Sequence, residues 1–340
     1  MNVAVIGLGL IGGSLVRALA ARGHRVIGYD QGADVREEAR ALAKAVTAPR
    51  VADPSARPVG GSAFAEGWAV AGDVAEAVAE AEIAVLAVPL PALPAVLSEL
   101  TGFRGLITDV TSVKGPVRDL MGDGRFVGGH PMAGKETSGF LASDPSLFDG
   151  CAWVLALEPG RTALGDWLTL AALFTDLGAR VVPATAAEHD AAVAAVSHVP
   201  HLLAAALTST ATASPLAAAL GAGSFRDGTR VAATRPELIA AMCGGNAAAV
   251  APALDAVLAS LAELRLALDD ADPVAALASQ LAPAVAARRA WPPVPGAPEV
   301  LPAEVDALLD LGRHGGWVSA VAADRHSLTA LRPVTDRNSL

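Results

Sequence analysis

Residues 3–15, VAVIGLGLIGGSL, decide the fold of the N-terminal half, because a short apolar run leads into four closely spaced glycines. The apolar run at 3–6 predicts a buried strand, and an apolar-periodic helix follows the glycines to about Arg22. A strand, a glycine-rich turn and a helix in this order indicate the beginning of a dinucleotide-binding βαβ unit.

Each glycine of the pattern Gly7-x-Gly9-x-x-Gly12 has its own physical task. Gly7 permits the tight turn, Gly9 lets the backbone approach a pyrophosphate, and Gly12 allows the helix to pack against the strand. The first helical turn, with Leu10 and Ile11, offers N–H groups and the positive end of the helix dipole to phosphates. We therefore expect these five residues to bind the cofactor.

An acidic residue at the end of the second predicted strand bears on the choice of dinucleotide. The segment 24–30 (HRVIGYD) predicts this strand, and it ends in Asp30, eighteen positions after Gly12. A carboxylate there accepts hydrogen bonds from the adenosine ribose and repels a 2′-phosphate. The sequence therefore favours NAD over NADP, although Arg36 and Arg40 lie downstream, within possible reach of a 2′-phosphate.

Further apolar segments predict the remaining strands, at 83–88, 106–110, 126–128, 153–157 and 180–182. Because helical stretches alternate with them, we expect a mostly parallel, doubly wound sheet. Ligands of such sheets bind beyond the carboxyl ends of the strands, so we expect Val88 and Pro89 to contact the cofactor. Residues 46–67 have mixed polarity with several Pro and Gly, and we interpret them as a surface insertion.

Composition and charge narrow the classes of protein. Apolar residues make up 53% of the 340 residues, which favours a globular protein of two domains. The formal net charge of −10 disfavours nucleic acid and anionic membranes as partners. Only Cys151 and Cys243 are present, so we expect neither disulfides nor a cysteine metal site, and we expect a cytoplasmic location. We find no uninterrupted apolar run of membrane-spanning length, so a soluble protein is expected.

The second half of the chain is predicted to be helical. Thr185-Ala-Ala-Glu188 fits a capping box that begins a new helix, and helical periodicity continues to about Arg289. We therefore divide the chain into a dinucleotide-binding domain at 1–184, an all-helical domain at 185–290, and a linker with a C-terminal tail at 291–340. The expected fold class is α/β, with a Rossmann-type doubly wound sheet followed by the helical domain.

Two histidines and an arginine in the helical half are candidate ligand contacts. His198 and His201 lie three positions apart, on one helical face if the helix continues through Pro200. No third or fourth metal ligand is evident nearby, so no metal is expected, and His198 is equally well explained as a hydrogen-bonded interior histidine. Arg230 follows Asp227 in a glycine-punctuated run, and its guanidinium suits a bidentate contact with a carboxylate.

Six motifs, in this order, resemble those of the prephenate dehydrogenase family: GLGLIGGSL, DVTSVKG, FVGGHPMAGKETSG, EHD, VSHVPH and SFRDGTRVA. The resemblance covers roughly residues 1–290. It implies oxidative decarboxylation of prephenate to the tyrosine precursor 4-hydroxyphenylpyruvate, with reduction of NAD. It also implies a homodimer formed through the helical domain, and an active site between the two domains.

The resemblance implies roles for residues at matching positions. His130 matches the catalytic histidine that hydrogen-bonds the substrate's ring hydroxyl, and Ser112 matches a serine that contacts the same hydroxyl and the nicotinamide side. Glu136 matches an acidic residue near the site entrance. His201 and Arg230 match substrate-binding positions, and Arg230 is expected to hold a carboxylate. The two remaining substrate-site candidates are Asp227, which resembles a residue that orients this arginine region, and Thr234, which stands where some relatives have serine.

The chemistry of prephenate explains these residue types. Prephenate has two carboxylates and a hydroxyl on the carbon that loses hydride. A neutral imidazole at His130 accepts the hydroxyl proton as hydride leaves for the nicotinamide. Loss of carbon dioxide then forms an aromatic ring, which drives the reaction.

Three alternatives stay open at this point. Arogenate dehydrogenases perform the same chemistry with an amine in place of the pyruvyl ketone, and no residue decides between the two substrates. A dehydrogenase of the β-hydroxyacid type would be expected to use a lysine in the helical domain, where the sequence has none. A non-catalytic dinucleotide-sensing protein would need none of Ser112, His130 and Arg230, so their joint presence disfavours it.

The last fifty residues are expected to lack a full regulatory domain. Segment 291–298 (WPPVPGAP) predicts a stiff linker, and the roughly forty residues after it are fewer than an independent domain usually needs. Val305, Leu308 and Leu309 lie on one face of a predicted amphipathic helix. Feedback by tyrosine is not decided by these residues.

Overall fold

The computed structural model describes residues 1–47, 67–122 and 124–334, which form two compact units. The first unit comprises Met1–Ala186 and Pro298–Ala330. The second, which we call the helical unit, comprises Ala187–Ala297 and the described residues after Ala330. Most of the predicted surface insertion at 46–67 lies outside the described residues, since 48–66 are not among them.

The first unit contains a six-stranded parallel sheet with the strand order β3-β2-β1-β4-β5-β6. This order reverses between β1 and β4, as in the Rossmann-type doubly wound sheet that the sequence predicted. The strands have short apolar sequences because helices cover both faces of the sheet and bury both sides of each strand. Their bounds are β1 (Asn2–Ile6), β2 (Arg25–Tyr29), β3 (Ala69–Val70), β4 (Ile83–Leu86), β5 (Leu106–Asp109) and β6 (Phe126–Val127).

Alternate residues of β1 point into two separate cores, one on each face of the sheet. Val3 and Val5 belong to a cluster with side chains of the first helix, whereas Ala4 and Ile6 belong to a second cluster on the other face. This alternation follows from the two-residue period of a strand. The helices of the first unit up to residue 186 are α1 (Leu10–Ala21), α2 (Ala33–Thr47), α3 (Val74–Val78), α4 (Leu93–Glu99), α5 (Gly115–Met121) and α6 (Leu164–Asp176).

A second, mixed sheet begins where the first one ends, which corrects the prediction of a single sheet. Its first three strands are β7 (Gly129–Pro131), β8 (Ala152–Ala156) and β9 (Arg180–Ala184). β7 runs antiparallel to β8, and β8 runs parallel to β9. The predicted strand at 126–128 therefore splits at Gly128 between the two sheets. Gly129 lies close to the backbone of β5 at this point: a Cβ on it would lie 2.6 Å from the Asp109 carbonyl oxygen, so the position requires glycine.

The helical unit consists of helices over almost all of its described length, as predicted. A π-helical turn at Ala194–His198 joins the first two helices, so the helix does continue through Pro200. A small core of Ala194, Val199 and Val250 holds them against a third. The bounds are α7 (Ala186–Val193), α8 (Val199–Thr212), α9 (Pro215–Ala219), α10 (Gly223–Thr229), α11 (Pro236–Gly245), α12 (Ala247–Ala267) and α13 (Pro273–Arg289).

Two helical stretches of this unit are long and apolar enough to cross a membrane by length and composition alone. They are Ala186–Thr212 and Ala247–Ala267. Of the most apolar 18 residues in each, 28% are buried in the first stretch and 6% in the second. The sequence predicted no segment of this kind. Interior helices of soluble proteins meet the same criteria, so this finding is weak evidence for a membrane. What it does show is a large exposed apolar surface on the helical unit.

The C-terminal segment returns to the first unit and completes the second sheet. It consists of β10 (Glu299–Pro302), α14 (Val305–Arg313), β11 (Trp317–Val321) and β12 (Ser327–Leu331), and the sheet order is β10-β12-β11-β9-β8-β7. The predicted amphipathic helix is present, with Leu308 and Leu309 buried. The prediction of a mere tail missed the three strands. β11 pairs with β9 through Val318 and Val181, a partner too distant in sequence for local patterns to show.

Candidate active site

The glycine turn after β1 leaves no room for side chains at two of its three positions. Gly7 has a φ of 99°, and a Cβ on it would lie 2.4 Å from the Ala87 carbonyl oxygen. A Cβ on Gly12 would lie 1.9 Å from the Gly7 carbonyl oxygen. Around Gly9, by contrast, a Cβ would meet no atom within 4 Å. The tight turn and close helix packing thus account for Gly7 and Gly12, and the open space at Gly9 suits a ligand.

The N-terminus of α1 faces this open space. Gly9 is the N-cap residue, and no side chain caps the helix. The N–H groups of the first turn, which contains Leu10 and Ile11, are therefore available to an anion. Both residues are half-buried and Gly9 is exposed. This is the donor arrangement that a pyrophosphate requires.

Asp30 lies one residue beyond the end of β2, and two backbone amides orient its carboxylate. The Leu8 N–H donates to Oδ2 and the Gly32 N–H donates to Oδ1, each at 2.8 Å. These bonds tie Asp30 directly to the glycine turn. The side chain is half-buried, so its remaining lone pairs can still accept hydrogen bonds from a ligand.

The two arginines that follow Asp30 are both engaged by backbone carbonyls. Arg36 donates from Nη1 to the carbonyl oxygen of Asp30 at 2.6 Å, and its guanidinium lies over the Tyr29 ring. Arg40 donates from Nη2 to the carbonyl oxygen of Val70 at 3.3 Å. Each guanidinium would have to leave or share these carbonyls to hold a 2′-phosphate.

Val88 and Pro89 follow β4 at the same edge of the sheet. A Cβ on Gly7 would lie 3.0 Å from Cγ1 of Val88, so this side chain borders the glycine turn. Pro89 is exposed and precedes a short 3-10 helix at Leu90–Ala92. The structure therefore brings both predicted cofactor residues to the point where the strand order reverses, where ligands of such sheets bind.

The loop after β5 contains Ser112 and a buried ion pair that sequence reasoning missed. Ser112 is half-buried. Lys114 contacts the Asp109 carboxylate, and the two side chains are 1% and 0% exposed. The Thr111 N–H also donates to Oδ2 of Asp109, at 3.0 Å. A lysine within the otherwise apolar and small residues of DVTSVKG was the available signal.

His130 lies in the short strand β7 and is 9% exposed. In register it is opposite Val154 of β8. The preceding residue, Gly129, bonds through its N–H to Asp109 Oδ1 at 3.1 Å and through its carbonyl oxygen to Lys114 Nζ at 2.6 Å. The structure thus joins the Ser112 loop to the His130 strand through one buried pair.

Glu136 lies in the exposed loop that follows β7. Its neighbour Lys135 forms an ion pair with Asp144 at 2.8 Å, and the Asp144 N–H donates to Oγ of Ser14 in α1 at 2.9 Å. Lys135, together with Ser146, holds the pKa of Asp144 well below its usual range. The loop that carries Glu136 is therefore tied to the helix that follows the glycine turn.

The helical unit brings His201 and Arg230 together. His201 is half-buried in α8, and burial lowers its pKa, as does the charge of Arg230, while a backbone hydrogen bond at Val231 opposes the shift. Among the described residues, its Nδ1 atom is buried without a hydrogen-bond partner. Arg230 and Asp227 are exposed at the end of α10, and Thr234 is half-buried at the end of the following 3-10 turn.

His198 is fully buried, which supports the interior interpretation of this histidine. Asn246 Nδ2 lies 3.2 Å from His198 Nδ1 and donates to the Asp190 carbonyl oxygen at 2.7 Å. Burial lowers the pKa of His198 to about 4, and the nearby His189 contributes to this shift. Asn246 is a buried polar residue that sequence reasoning missed. Within the described ranges, no cluster of three or more His, Cys, Asp or Glu residues is suited to a metal ion.

Two models of one protein family match consecutive parts of the chain. Residues 62–183 match the model described as "Prephenate dehydrogenase, nucleotide-binding domain", and residues 185–281 match "Prephenate dehydrogenase, dimerization domain". Residues 2–111 also match the model "NADP oxidoreductase coenzyme F420-dependent". Together the first two matches cover more than half of the chain.

Curated relatives give the same result over most of the sequence. A cyclohexadienyl dehydrogenase of Zymomonas mobilis is 32% identical over an alignment of 286 positions that covers 80% of this chain and 89% of that protein. A prephenate dehydrogenase of Bacillus subtilis is 30% identical over an alignment that spans 100% of this chain and 90% of that protein.

Two solved structures have the same fold. Prephenate dehydrogenase from Aquifex aeolicus, in complex with hydroxyphenyl propionate and NAD+, matches with a TM-score of 0.71 and 25% identity, covering 85% of this chain and 97% of that one. Synechocystis arogenate dehydrogenase matches with a TM-score of 0.68 and 27% identity, covering 86% and 100%.

Proposed function

The chain belongs to the prephenate dehydrogenase family, whose members are oxidoreductases, and we propose that it oxidatively decarboxylates prephenate with NAD as hydride acceptor. One observation carries this proposal. The first unit combines an open, uncapped glycine turn after β1 with the Ser112 loop after β5 and the His130 strand β7, and the last two share one buried ion pair. A dinucleotide-binding protein without catalysis would have no need for this combination.

We propose that the first unit selects NAD through Asp30. The Leu8 and Gly32 amides hold its carboxylate at the end of β2, where it would accept hydrogen bonds from the adenosine ribose. The same charge would repel a 2′-phosphate, and Arg36 and Arg40 are engaged by carbonyls. The open space at Gly9 and the first turn of α1 would hold the pyrophosphate. When bound, NAD supplies the hydride acceptor.

We assign the role of general base to His130. Its imidazole would accept the proton of the hydroxyl on the substrate's ring. Because His130 is buried in β7, water has limited access to the imidazole. Ser112 would hydrogen-bond the same hydroxyl and orient it. Loss of hydride and carbon dioxide then leaves the product oxygen as a phenolate, and the protonated His130 would return the proton to it, so the reaction requires no second acid or base from the chain.

The remaining proposed roles concern the substrate's carboxylates. Arg230 would bind one of them, since guanidinium and carboxylate match in a bidentate geometry. His201 would contact the substrate through the Nδ1 atom that lacks a partner among the described residues. Asp227 would orient the Arg230 region. Glu136 and Thr234 are proposed to border the substrate.

We further propose that the protein is a cytoplasmic homodimer joined through its helical unit. The match to a dimerization domain covers residues 185–281, and α12 exposes Leu258, Leu261 and Leu266. A second copy would remove this apolar surface from water, which is the usual reason for such a patch. No interaction with nucleic acid or with a membrane is needed for this function.

Arogenate is the second candidate substrate. The similarity to Synechocystis arogenate dehydrogenase and to a cyclohexadienyl dehydrogenase supports it. The two substrates differ at the side chain that carries the pyruvyl ketone or the amine. The proposed base and cofactor site would serve both.

The test mixes purified protein with NAD and prephenate and follows the formation of NADH by absorbance. The assay is repeated with arogenate as substrate, and with NADP in place of NAD. Faster turnover of prephenate with NAD is expected. A His130→Ala variant should lose about 10²–10⁴ in kcat while it still binds NAD, because only the base is removed. Activity with arogenate alone would change the substrate and keep the mechanism. No turnover of either substrate, despite NAD binding, would refute the proposed function.

A further inference from the structure

We infer that Asp109 and Lys114 are positioning residues, which hold the backbone on both sides of the reaction site so that His130 and Ser112 keep one fixed geometry. The inference rests on the roles proposed above for these two residues. Neither Asp109 nor Lys114 is needed to bind a ligand in the proposed mechanism. Their burial, at 0% and 1% exposure, nevertheless places two full charges in the interior.

The pair binds both backbone polar groups of the residue that precedes His130. Asp109 accepts the N–H of Gly129 through Oδ1 at 3.1 Å, and Lys114 donates to the Gly129 carbonyl oxygen at 2.6 Å. A side chain at Gly129 would collide with the Asp109 backbone, so the close approach depends on glycine. After the histidine, the Met132 N–H bonds to β8. His130 is therefore held from both directions along the chain.

The same pair also holds the loop that carries Ser112. The Thr111 N–H donates to Oδ2 of Asp109 at 3.0 Å. The Thr111 hydroxyl lies 3.2 Å from Lys114 Nζ and 3.0 Å from the Val113 carbonyl oxygen. Thr111, which precedes Ser112, is thus fixed to the charges that fix Gly129, and its hydroxyl also bonds to Val113, which follows Ser112.

Geometry explains why the two charges belong together. One carboxylate offers several acceptor sites and one ammonium offers three donors, so the pair can bind Gly129 and Thr111 at once. A neutral pair of similar size, asparagine with methionine, could fill the space and preserve much of the stability, since replacing a buried ion pair by neutral side chains is often nearly neutral. This pair would keep one acceptor oxygen and lose the ammonium donor, so it could not bind Gly129 and Thr111 at once. Stability and positioning should therefore separate in a variant.

The experiment compares wild-type enzyme with the double variant Asp109→Asn/Lys114→Met and with a control, Asp166→Asn. The control breaks an ion pair in the same unit, between Arg125 and Asp166. The Asp166 side chain is 11% exposed. Measured quantities are kcat, KM, the Kd of NAD, and hydrogen exchange of peptides covering 109–115 and 126–134. A misplacement of catalytic groups by about 1 Å can cost about 10²-fold in rate.

We expect the folded double variant to bind NAD as the wild type does, with KM little changed and kcat reduced by about 10- to 100-fold. Hydrogen exchange should rise in both peptides. The control should keep its kcat. A folded double variant with wild-type kcat and unchanged exchange would overturn the inference.

Two further results keep the test decisive. If the double variant does not fold, Thr111→Val removes only the hydroxyl that links the pair to the loop. It should give a smaller decrease in kcat and faster exchange at 109–115, and the absence of both effects would overturn the inference. If the wild type turns over neither substrate, the proposed function fails, and the exchange data alone decide whether the pair holds the two segments.

Discussion

Two buried sites, one in each unit, hold titratable side chains in opposite ways. In the first unit, Asp109 and Lys114 remain a paired anion and cation, and each has further hydrogen bonds to backbone groups. In the helical unit, His198 is buried as a single group, with Asn246 at one ring nitrogen and no partner at Nε2 among the described residues. The difference teaches that interior charge survives only where partners satisfy it, whereas a lone titratable group becomes neutral.

The largest expected effect comes from breaking the pair in the first unit. Lys114→Met leaves the Asp109 carboxylate buried and unpaired, and this should lower the free energy of unfolding by about 3–5 kcal/mol. Urea unfolding at neutral pH measures it. The double variant Asp109→Asn/Lys114→Met is the control and should recover most of the loss. Equal destabilisation of both variants would show that side-chain packing, and not the unpaired charge, is responsible.

The next effect is a pH dependence of the helical unit. His198 has a pKa near 4 in the folded state against 6.5 when unfolded, so the unfolded chain binds more protons between these values. Stability is fully present above pH 6.5 and is lost as pH falls towards 4, by about 3 kcal/mol at most. Thermal unfolding across this range should show the slope. A His198→Gln variant cannot titrate there, and an unchanged slope in it would assign the effect to another group.

A smaller effect is expected from the amide that partners this histidine. Asn246→Ala removes the donor to the Asp190 carbonyl oxygen and the contact with His198 Nδ1. Leaving buried polar atoms unsatisfied should cost about 1–3 kcal/mol in the free energy of unfolding. Asn246→Asp, with a similar shape and no amide donor, is the matched comparison. A cost below about 0.5 kcal/mol for the alanine variant would mean that water replaces the amide.

The smallest effect is expected at the surface of the same unit. Arg265 and Asp269 form an ion pair at 2.8 Å, one helical turn apart, and both side chains are 64% exposed. Asp269→Asn should change the free energy of unfolding by no more than about 0.5 kcal/mol, because water and salt screen exposed charges. Repeating the urea unfolding at low and high salt measures this. If Asp269→Asn lowered the free energy of unfolding as much as Lys114→Met does, burial would not explain the difference between the two ion pairs.

Local patterns were sufficient for the cofactor turn and insufficient for the second sheet. The need for glycine at Gly7 and Gly12 could be predicted because the spacing of the strand, the turn and the helix is local, whereas the binding of a ribose by Asp30 stays a prediction. The strands β10 to β12 could not, since β11 joins them to the sheet by pairing with β9, which lies more than a hundred residues earlier. The burial of Lys114 was likewise not predicted: its place in DVTSVKG was a signal, but a lysine in a loop usually lies in solvent.

By itself, the sequence determined the parallel sheet, the glycine turn with its acidic partner, the helical second half and the family. These features are encoded in periodicity and in ordered motifs, which need no knowledge of distant contacts. Only the tertiary structure decided that the chain passes between two sheets at Gly128 and Gly129 and that residues 298–330 return to the first unit. It also decided that Asp109 and Lys114 pair and bind the backbone of Gly129. Each of these depends on which remote groups can satisfy a buried hydrogen bond or charge, and burial is a property of the folded chain alone.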